Sequence, residues 1–227
     1  MVGETYGYGV IAPQTNSCAA ATGVSCFTST EDPWYDGATV TIGVGTILVS
    51  SSNKAPAQNI AINLANQPLG AFEVTVKGEP ISVSRIGFNL TMTSEDGDSD
   101  IDDVTNITVT NESGAVVAGP ADGSASDSSN TTGSGDGSVV FTDTITFPVG
   151  TTIYYLKVKI GTEIANNTQV QASTTPSTDF AGTVRGTVSG TSITPDPASA
   201  LTLSQMTVNA GALTISLRTV TTHVGRI

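Results

Sequence analysis

The chain has 227 residues, a formal net charge of −12 and a sequence pI of about 4.1, with 12 % charged and 5 % aromatic residues. That length holds one large β-sandwich or two small domains. The eight Lys and Arg are scattered singly and no run approaches the roughly 18 apolar residues of a membrane helix, so neither a nucleic-acid partner nor a membrane span is expected.

Residues 1–37 differ in composition from the rest. They hold both cysteines, Cys18 and Cys26, the only tryptophan, Trp34, and Tyr6, Tyr8 and Tyr35. The reading is an irregular N-terminal extension ending at the turn signal Tyr35-Asp36-Gly37. Cys18 and Cys26 lie in a polar, small-residue segment without further metal ligands nearby. A local disulfide, formed in an oxidising compartment, is expected there, with two free thiols as the alternative. The start of the chain shows no basic and apolar leader; an extracellular or cell-surface protein is expected, with its signal outside this numbering.

Residues 38–205 read as a β-sandwich domain. Thr, Val and Ile dominate it, and no sustained 3.6-residue apolar period is present, so almost no helix is expected. Val40, Ile42 and Val44 alternate with polar or small residues, and the phase shifts at Gly45 to Ile47 and Val49. Phe72, Val74 and Val76 mark a strand with one buried face. Ile81 and Val83 open the next, and Ile86, Phe88, Leu90 and Met92 continue it on the other parity, a bulge signature near Arg85. Ile107 and Val109 lead through the turn signal Asn111-Glu112-Ser113-Gly114 to Val116 and Val117.

Residues 121–138, a run of Ala, Asp, Gly, Ser, Asn and Thr, read as a long flexible loop. Val139, Phe141, Ile145 and Phe147 share one parity, and Tyr154, Leu156, Val158 and Ile160 share the next. Val170 with Ala172, and Val184 with Val188, are shorter strand candidates. About nine or ten strands with frequent turns point to an antiparallel β-sandwich of Ig-like, Greek-key type.

Residues 206–227 form a C-terminal strand segment. Residues 40–50 align without gaps on 206–216, with identities at Thr41/Thr207, Gly45/Gly211 and Ser50/Ser216. Apolar residues are exchanged at Val40/Met206, Ile42/Val208, Ile47/Leu213 and Val49/Ile215. The segment therefore reads as the opening of a next repeat. Met206, Val208, Leu213, Ile215 and Leu217 are the expected assembly residues, with an ordinary last strand as the alternative.

The pattern resembles the repeated, Thr-rich β-sandwich domains of very large cell-surface proteins of candidate-phylum bacteria, which are layer-like or filament-like. The resemblance is carried by residues 71–79, 106–120, 139–150 and 206–214, and covers residues 38–217. It implies a secreted, tandemly arrayed structural module, brings no catalytic residues, and leaves out both ends of the chain.

The densest charge cluster is Asp96, Asp98, Asp100, Asp102 and Asp103, beside Glu95. Clustered loop carboxylates suit Ca²⁺, the one cofactor the sequence suggests. The EF-hand pattern fails, because Asp103 stands at the glycine position and Val109 at that of the bidentate acid. A solvated acidic hairpin tip is the alternative. His223 is the only histidine, so a Ser-His-Asp triad or a multi-histidine centre is not expected, and no pair of acids points to a glycosidase.

Asp143 shares the parity of Phe141 and Ile145. Buried, it would need Lys157 or Lys159, even as an isopeptide crosslink with an Asn; a bulge would turn it outward. The Asn-x-Ser/Thr sites at Asn89, Asn106, Asn111, Asn130 and Asn166 are weak evidence of glycosylation in so Thr-rich a chain.

The expected function is structural: a subunit or repeat module of a surface layer, pilus or filament, assembled with other copies of itself by β-strand addition, and not an enzyme. The alternative is a glycan- or ligand-binding adhesin module using Trp34, Tyr35, Tyr6 and Tyr8 as a stacking surface.

Overall fold

The computed structural model describes residues 44–93, 99–126 and 134–209. They all belong to the second of the two units into which the chain divides, Gly43–Ile227. Cys18, Cys26 and the N-terminal aromatics lie outside the described residues. So do Asp96 and Asp98, the sequon at Asn130, His223, and Leu213, Ile215 and Leu217.

The fold is all-β and mostly antiparallel, with one α-helix of four residues, α1 (Pro176–Asp179), among the described residues. The first sheet has the order β1-β3-β10-β5-β6. Its strands are β1 (Thr46–Ser51), β3 (Gln67–Lys77), β10 (Gly150–Ile160), β5 (Val104–Asn111) and β6 (Val116–Ala121). The second runs β2-β14-β11-β4-β8-β7, where β2 is Asn59–Ala61, β14 Met206–Asn209, β11 Gln169–Thr174, β4 Ile81–Thr93, β8 Ser134–Phe141 and β7 Ser124–Ala125. Beside this path, β9 (Ile145–Phe147) and β12 (Phe180–Gly186) pair with β4, and β13 (Leu201–Thr202) pairs with β11.

Alternation explains the layering. Ile47 and Val49 of β1, Phe72, Val74 and Val76 of β3, and Tyr154, Leu156, Val158 and Ile160 of β10 turn inward from the first sheet. On β4, Ile81 and Val83 are buried, Ser84 and Arg85 are not, and burial resumes at Ile86, so the inward parity changes within one strand. The sheets meet through aromatic rings. Phe72 of β3 stacks on Tyr154 at 5.6 Å and reaches across to Phe88 of β4 at 5.4 Å and Phe180 of β12 at 6.3 Å. Phe147 of β9 meets Tyr154 edge-on at 5.2 Å.

Three expectations change. The Gly/Ser-rich run is not a loop through 138: β8 begins at Ser134 and pairs with β4 from Thr93 to Ile86. Its glycines serve close packing as well as flexibility. A Cβ on Gly137 would lie 2.4 Å from the Ser124 carbonyl and 2.6 Å from Ile101 Cγ2. Val188 is not a strand residue; it is 84 % exposed on the turn after β12.

The boundary at 205/206 also moves. Met206 and Val208 are fully buried, and β14 pairs antiparallel with β11 and parallel with β2. These two residues are core of this domain, so they are not free to donate a strand to another copy. Their own sheet satisfies the backbone and covers the side chains.

The register defines two poles. At the first, Thr46 faces Lys77, Gly150 faces Val76, and Ile81 faces both Phe147 and Gly186. At the second, Asn209 faces Ala61, Ile160 faces Val104 and bridges Ile62, and Thr93 faces Gln169. The 13 residues of β4 connect them, which at about 3.3 Å per residue sets the poles about 40 Å apart. The described chain thus enters β1 at the first pole and leaves β14 at the second.

Candidate functional site: capped edges, an acidic pole and an open gap

A sheet edge presents unpaired N–H and C=O groups that can template another strand. Several edges here are closed by side chains or by a single backbone contact. On β2, the Gln67 amide donates to the Ala61 carbonyl and, at 2.9 Å, to Leu64 O, while its Oε1 accepts the Ala61 N–H. Gln67 is 8 % exposed, so its amide stands in for a missing neighbouring strand.

On β7, Asp102 Oδ1 accepts the Ala125 N–H at 2.7 Å. On β6, Asp143 Oδ2 accepts the Gly119 N–H at 2.8 Å, and the next residue, Pro120, has no N–H to offer. On β1, Val49 N donates to Asp196 O at 2.8 Å and Asp196 N to Ile47 O at 3.0 Å. Asp143 is therefore not buried, and its carboxylate serves the Gly119 N–H. It is exposed in the break between β8 and β9, where the chain turns it outward to β6.

The described part of the predicted calcium cluster is occupied in the same way. Asp100 Oδ1 caps the 3₁₀ turn Ile101–Asp103 by accepting the Ile101 N–H at 2.6 Å, and Asp103 returns to the Asp100 N–H at 3.4 Å. With Asp102 on Ala125, all three described carboxylates accept backbone donors. Among the described residues, no group of three or more His, Cys, Asp or Glu is placed to hold a metal ion.

Burial pushes the Asp103 carboxyl up, and the charges of Glu163, Asp100 and Asp102 act in the same direction, against the backbone N–H of Asp100. A raised carboxyl pKa in the folded state means that stability falls as pH rises from the unfolded value through the folded one. Asp103→Asn keeps an acceptor for Asp100 N and removes the charge. The variant is expected to melt higher than the parent at pH 7, with the gain vanishing near pH 3, where Asp103 is protonated. Thermal melts at the two pH values check this.

At the first pole, Glu79 holds the turn after β12. Its carboxylate accepts the Val188 and Ser189 N–H groups at 2.8 Å each and the Ser189 hydroxyl. The Ser189 hydroxyl and then its N–H, with the N–H groups of Val188 and Gly45, hold the Glu79 carboxyl below its ordinary value; desolvation opposes them. A depressed pKa gives stability that is complete above the unfolded value and is lost as pH falls through the folded value.

The Val188 and Ser189 amides are therefore expected to lose hydrogen-exchange protection below about pH 4.3, the ordinary Glu value, and at every pH in Glu79→Gln. Gly186→Ala should reproduce the loss, because a Cβ there would sit 2.1 Å from Glu79 Oε1. Unchanged protection in both variants would remove Glu79 from this role.

Described residues also line two concavities. The first, about 370 Å³, is a polar groove on the outer face of the second sheet, lined by Asn89, Thr91, Ser126, Asp136 and Ser138. The second, about 300 Å³, is a gap between β12 and residues 192–195. The two arms are joined where Ile193 N donates to Val184 O and Gly186 N to Thr191 O, both at 3.0 Å. Beyond Val184 they part, and among the described residues no backbone hydrogen bond joins 181–183 to 194–195. Phe180, Val184 and Pro195 are buried at its floor, Thr183, Ser192 and Thr194 stand exposed on its rim, and the arms meet again where Ser177 N donates to Pro197 O at 3.3 Å.

Of the sequence-predicted site residues, the structure brings together Asp100, Asp102 and Asp103, as backbone acceptors, and places Met206 and Val208 in the core. The capping roles of Gln67, Glu79 and Asp143 are not foreseen by the sequence reading. Glu79 lies inside the turn Gly78-Glu79-Pro80, but nothing local signals that its partners are 109 and 110 residues away.

No helix among the described residues is long and apolar enough to cross a membrane. No protein-family model and no curated protein matches the chain. Among solved structures, AvmM, described as catalysing macrocyclization in alchivemycin A biosynthesis, is 14 % identical with a TM-score of 0.34, covering 77 % of this chain and 92 % of its own. A type III cohesin module from the cellulosomal ScaE cell-surface anchoring scaffoldin of Ruminococcus flavefaciens is 8 % identical with a TM-score of 0.21, covering 74 % and 88 %.

Proposed function

We propose that this chain is a structural module of an extracellular surface layer or filament, joined end to end with other copies by β-strand addition. The observation that carries the reading is the path of the chain. It enters β1 at one pole and leaves β14 at the other, so a following unit starts where this one ends. The sequence echo supports the same boundary. With β14 as the last strand of this unit, residues 212–217 correspond to β1, residues 46–51, and the shared Gly45/Gly211 falls between units.

Capped edges on β1, β2, β6 and β7 suit a unit that must avoid lateral, disordered pairing while growing along one axis. The fold belongs in this reading to the Ig-like, Greek-key type. The first traverse of the chain is split between the two sheets as β1 and β2, and β2 pairs in parallel with the last strand.

Negative-stain microscopy of concentrated protein tests the proposal. Linear or layered arrays with an axial spacing of about 40 Å, the length of one strand-long unit, are expected. Dispersed single particles at every concentration would sink it. The polar groove of Asn89, Thr91 and Asp136 favours a second reading, a glycan- or ligand-binding adhesin module. Glycan-array binding lost in Asp136→Ala would support it.

A further inference from the structure

We infer that this domain is a load-bearing link: the entering stretch of the chain holds the leaving stretch in parallel at two places, and tension between the poles is carried there in shear. The use of such a link between copies rests on the array reading above; the mechanical property does not. The first clamp lies at the edge of the first sheet. Val49 N donates to Asp196 O at 2.8 Å and Asp196 N to Ile47 O at 3.0 Å, so Asp196 bridges Leu48 of β1 in parallel. The second lies in the second sheet. There β14 pairs with β2 in parallel through Thr207↔Asn59, Val208↔Ile60 and Asn209↔Ala61, and Thr207 N donates to Gln58 O at 3.0 Å.

Direction decides how these contacts meet a load. Tension at Thr46 points out of the first pole and tension at Asn209 out of the second, both along the strands. Ladder hydrogen bonds run across the strands, so the pairs of a clamp are strained together. Force applied across two strands at one end opens their pairs one after another instead. Parallel order is what sets this up. An exit strand antiparallel to the entry strand would leave by the same pole and peel away.

The short β2 is itself anchored. Gln67 of β3 holds both the N–H and the carbonyl of Ala61, and Asn63 N donates to Ile160 O of β10 at 2.8 Å. On its other side β14 is held where Val208 N donates to Thr168 O at 2.7 Å and Asn167 N to Val208 O at 2.8 Å. Ile60, Met206 and Val208 are buried, so a slip of β14 by one residue would turn its apolar side chains to the wrong face.

Single-molecule force spectroscopy tests this on the full-length chain, with Cys18→Ser and Cys26→Ser so that handles attach only at introduced thiols. One form carries Thr46→Cys and Asn209→Cys, the other Thr46→Cys and Lys77→Cys; all three positions are exposed, and Thr46 faces Lys77. At equal pulling speed, the 46–209 form should unfold at a force about threefold or more above the 46–77 form, because three β2–β14 pairs load together instead of one at a time. Thr207→Pro, which removes the donor to Gln58 O, should lower the 46–209 force and leave the 46–77 force unchanged. Thr207→Val keeps the donor and should change neither.

Equal forces in the two geometries would overturn the inference, and that comparison needs no change in β14 short of its last residue, so it holds even if Thr207→Pro fails to fold. A Thr207→Pro domain that folds and keeps the full 46–209 force would remove β2–β14 as the clamp. A high 46–209 force in a chain that never forms arrays keeps the link and removes the array reading, and arrays built of domains with equal forces do the reverse.

Discussion

Replacing Phe72 by Ala is expected to destabilise the domain by about 3–5 kcal/mol, the range for truncating a buried Phe. Phe72 is fully buried and is the ring through which the two sheets touch most: Tyr154 on its own sheet, Phe88 and Phe180 on the other. The surrounding rings belong to long paired strands and cannot collapse freely into the space, so the cavity cost adds to the lost transfer free energy. Domains of this size have roughly 5–15 kcal/mol in total, so the loss is a large part of the whole.

Urea denaturation should show a lower midpoint with an unchanged slope. Thr75→Ala is the control. Its hydroxyl meets Thr151 Oγ1 at 2.9 Å on the outer face of the same strand, and the change should stay within about 0.5 kcal/mol. Equal effects of the two substitutions would mean that the sheets do not pack through Phe72.

The second large effect concerns where the domain ends. A chain stopped at Gln205 is expected to lose its cooperative fold, and one stopped at Gly211 to keep it. The four residues of β14 make the difference. Met206 and Val208 are each fully buried, and burying such side chains contributes about 1.5–3 kcal/mol apiece as an upper estimate. Removing β14 also uncovers the edges of β2 and β11, which it pairs, and leaves the Val208 carbonyl's partner, Asn167 N, unsatisfied.

Circular dichroism melts of the two truncated chains decide this. A sharp transition in the shorter one would return β14 to the role of a free assembly strand. On the array proposal, the chain ending at Gly211 should fold and fail to associate, because residues 212–217 are gone. The two truncations thus separate folding from assembly in a way that deleting 206–227 as a block cannot.

Local alternation makes much of the fold legible in the residues themselves. Phe72, Val74 and Val76, then Tyr154, Leu156, Val158 and Ile160, declare a buried face by spacing alone, because a strand sends successive side chains to opposite sides whatever it pairs with. The turn at 111–114 is equally local: Asn111 Oδ1 accepts from Ser113 N, the Ser113 hydroxyl and Ala115 N, all within four residues. The parity change near Arg85 and the near absence of helix have the same origin. Tertiary structure decides the rest, since it depends on which strands meet. Gly135 and Gly137 look like linker until β4 pairs with them, and Gly137 until Ile101 presses against it. Met206 and Val208 look like an opening strand until β11 and β2 close on either side. In the sequence Gln67 reads as an ordinary polar residue, Asp102 as a calcium candidate or solvated tip, and Asp143 as a buried acid or one turned outward by a bulge. They become edge caps only when folding brings each carboxylate or amide to a backbone group whose hydrogen bond the sheet leaves unmade.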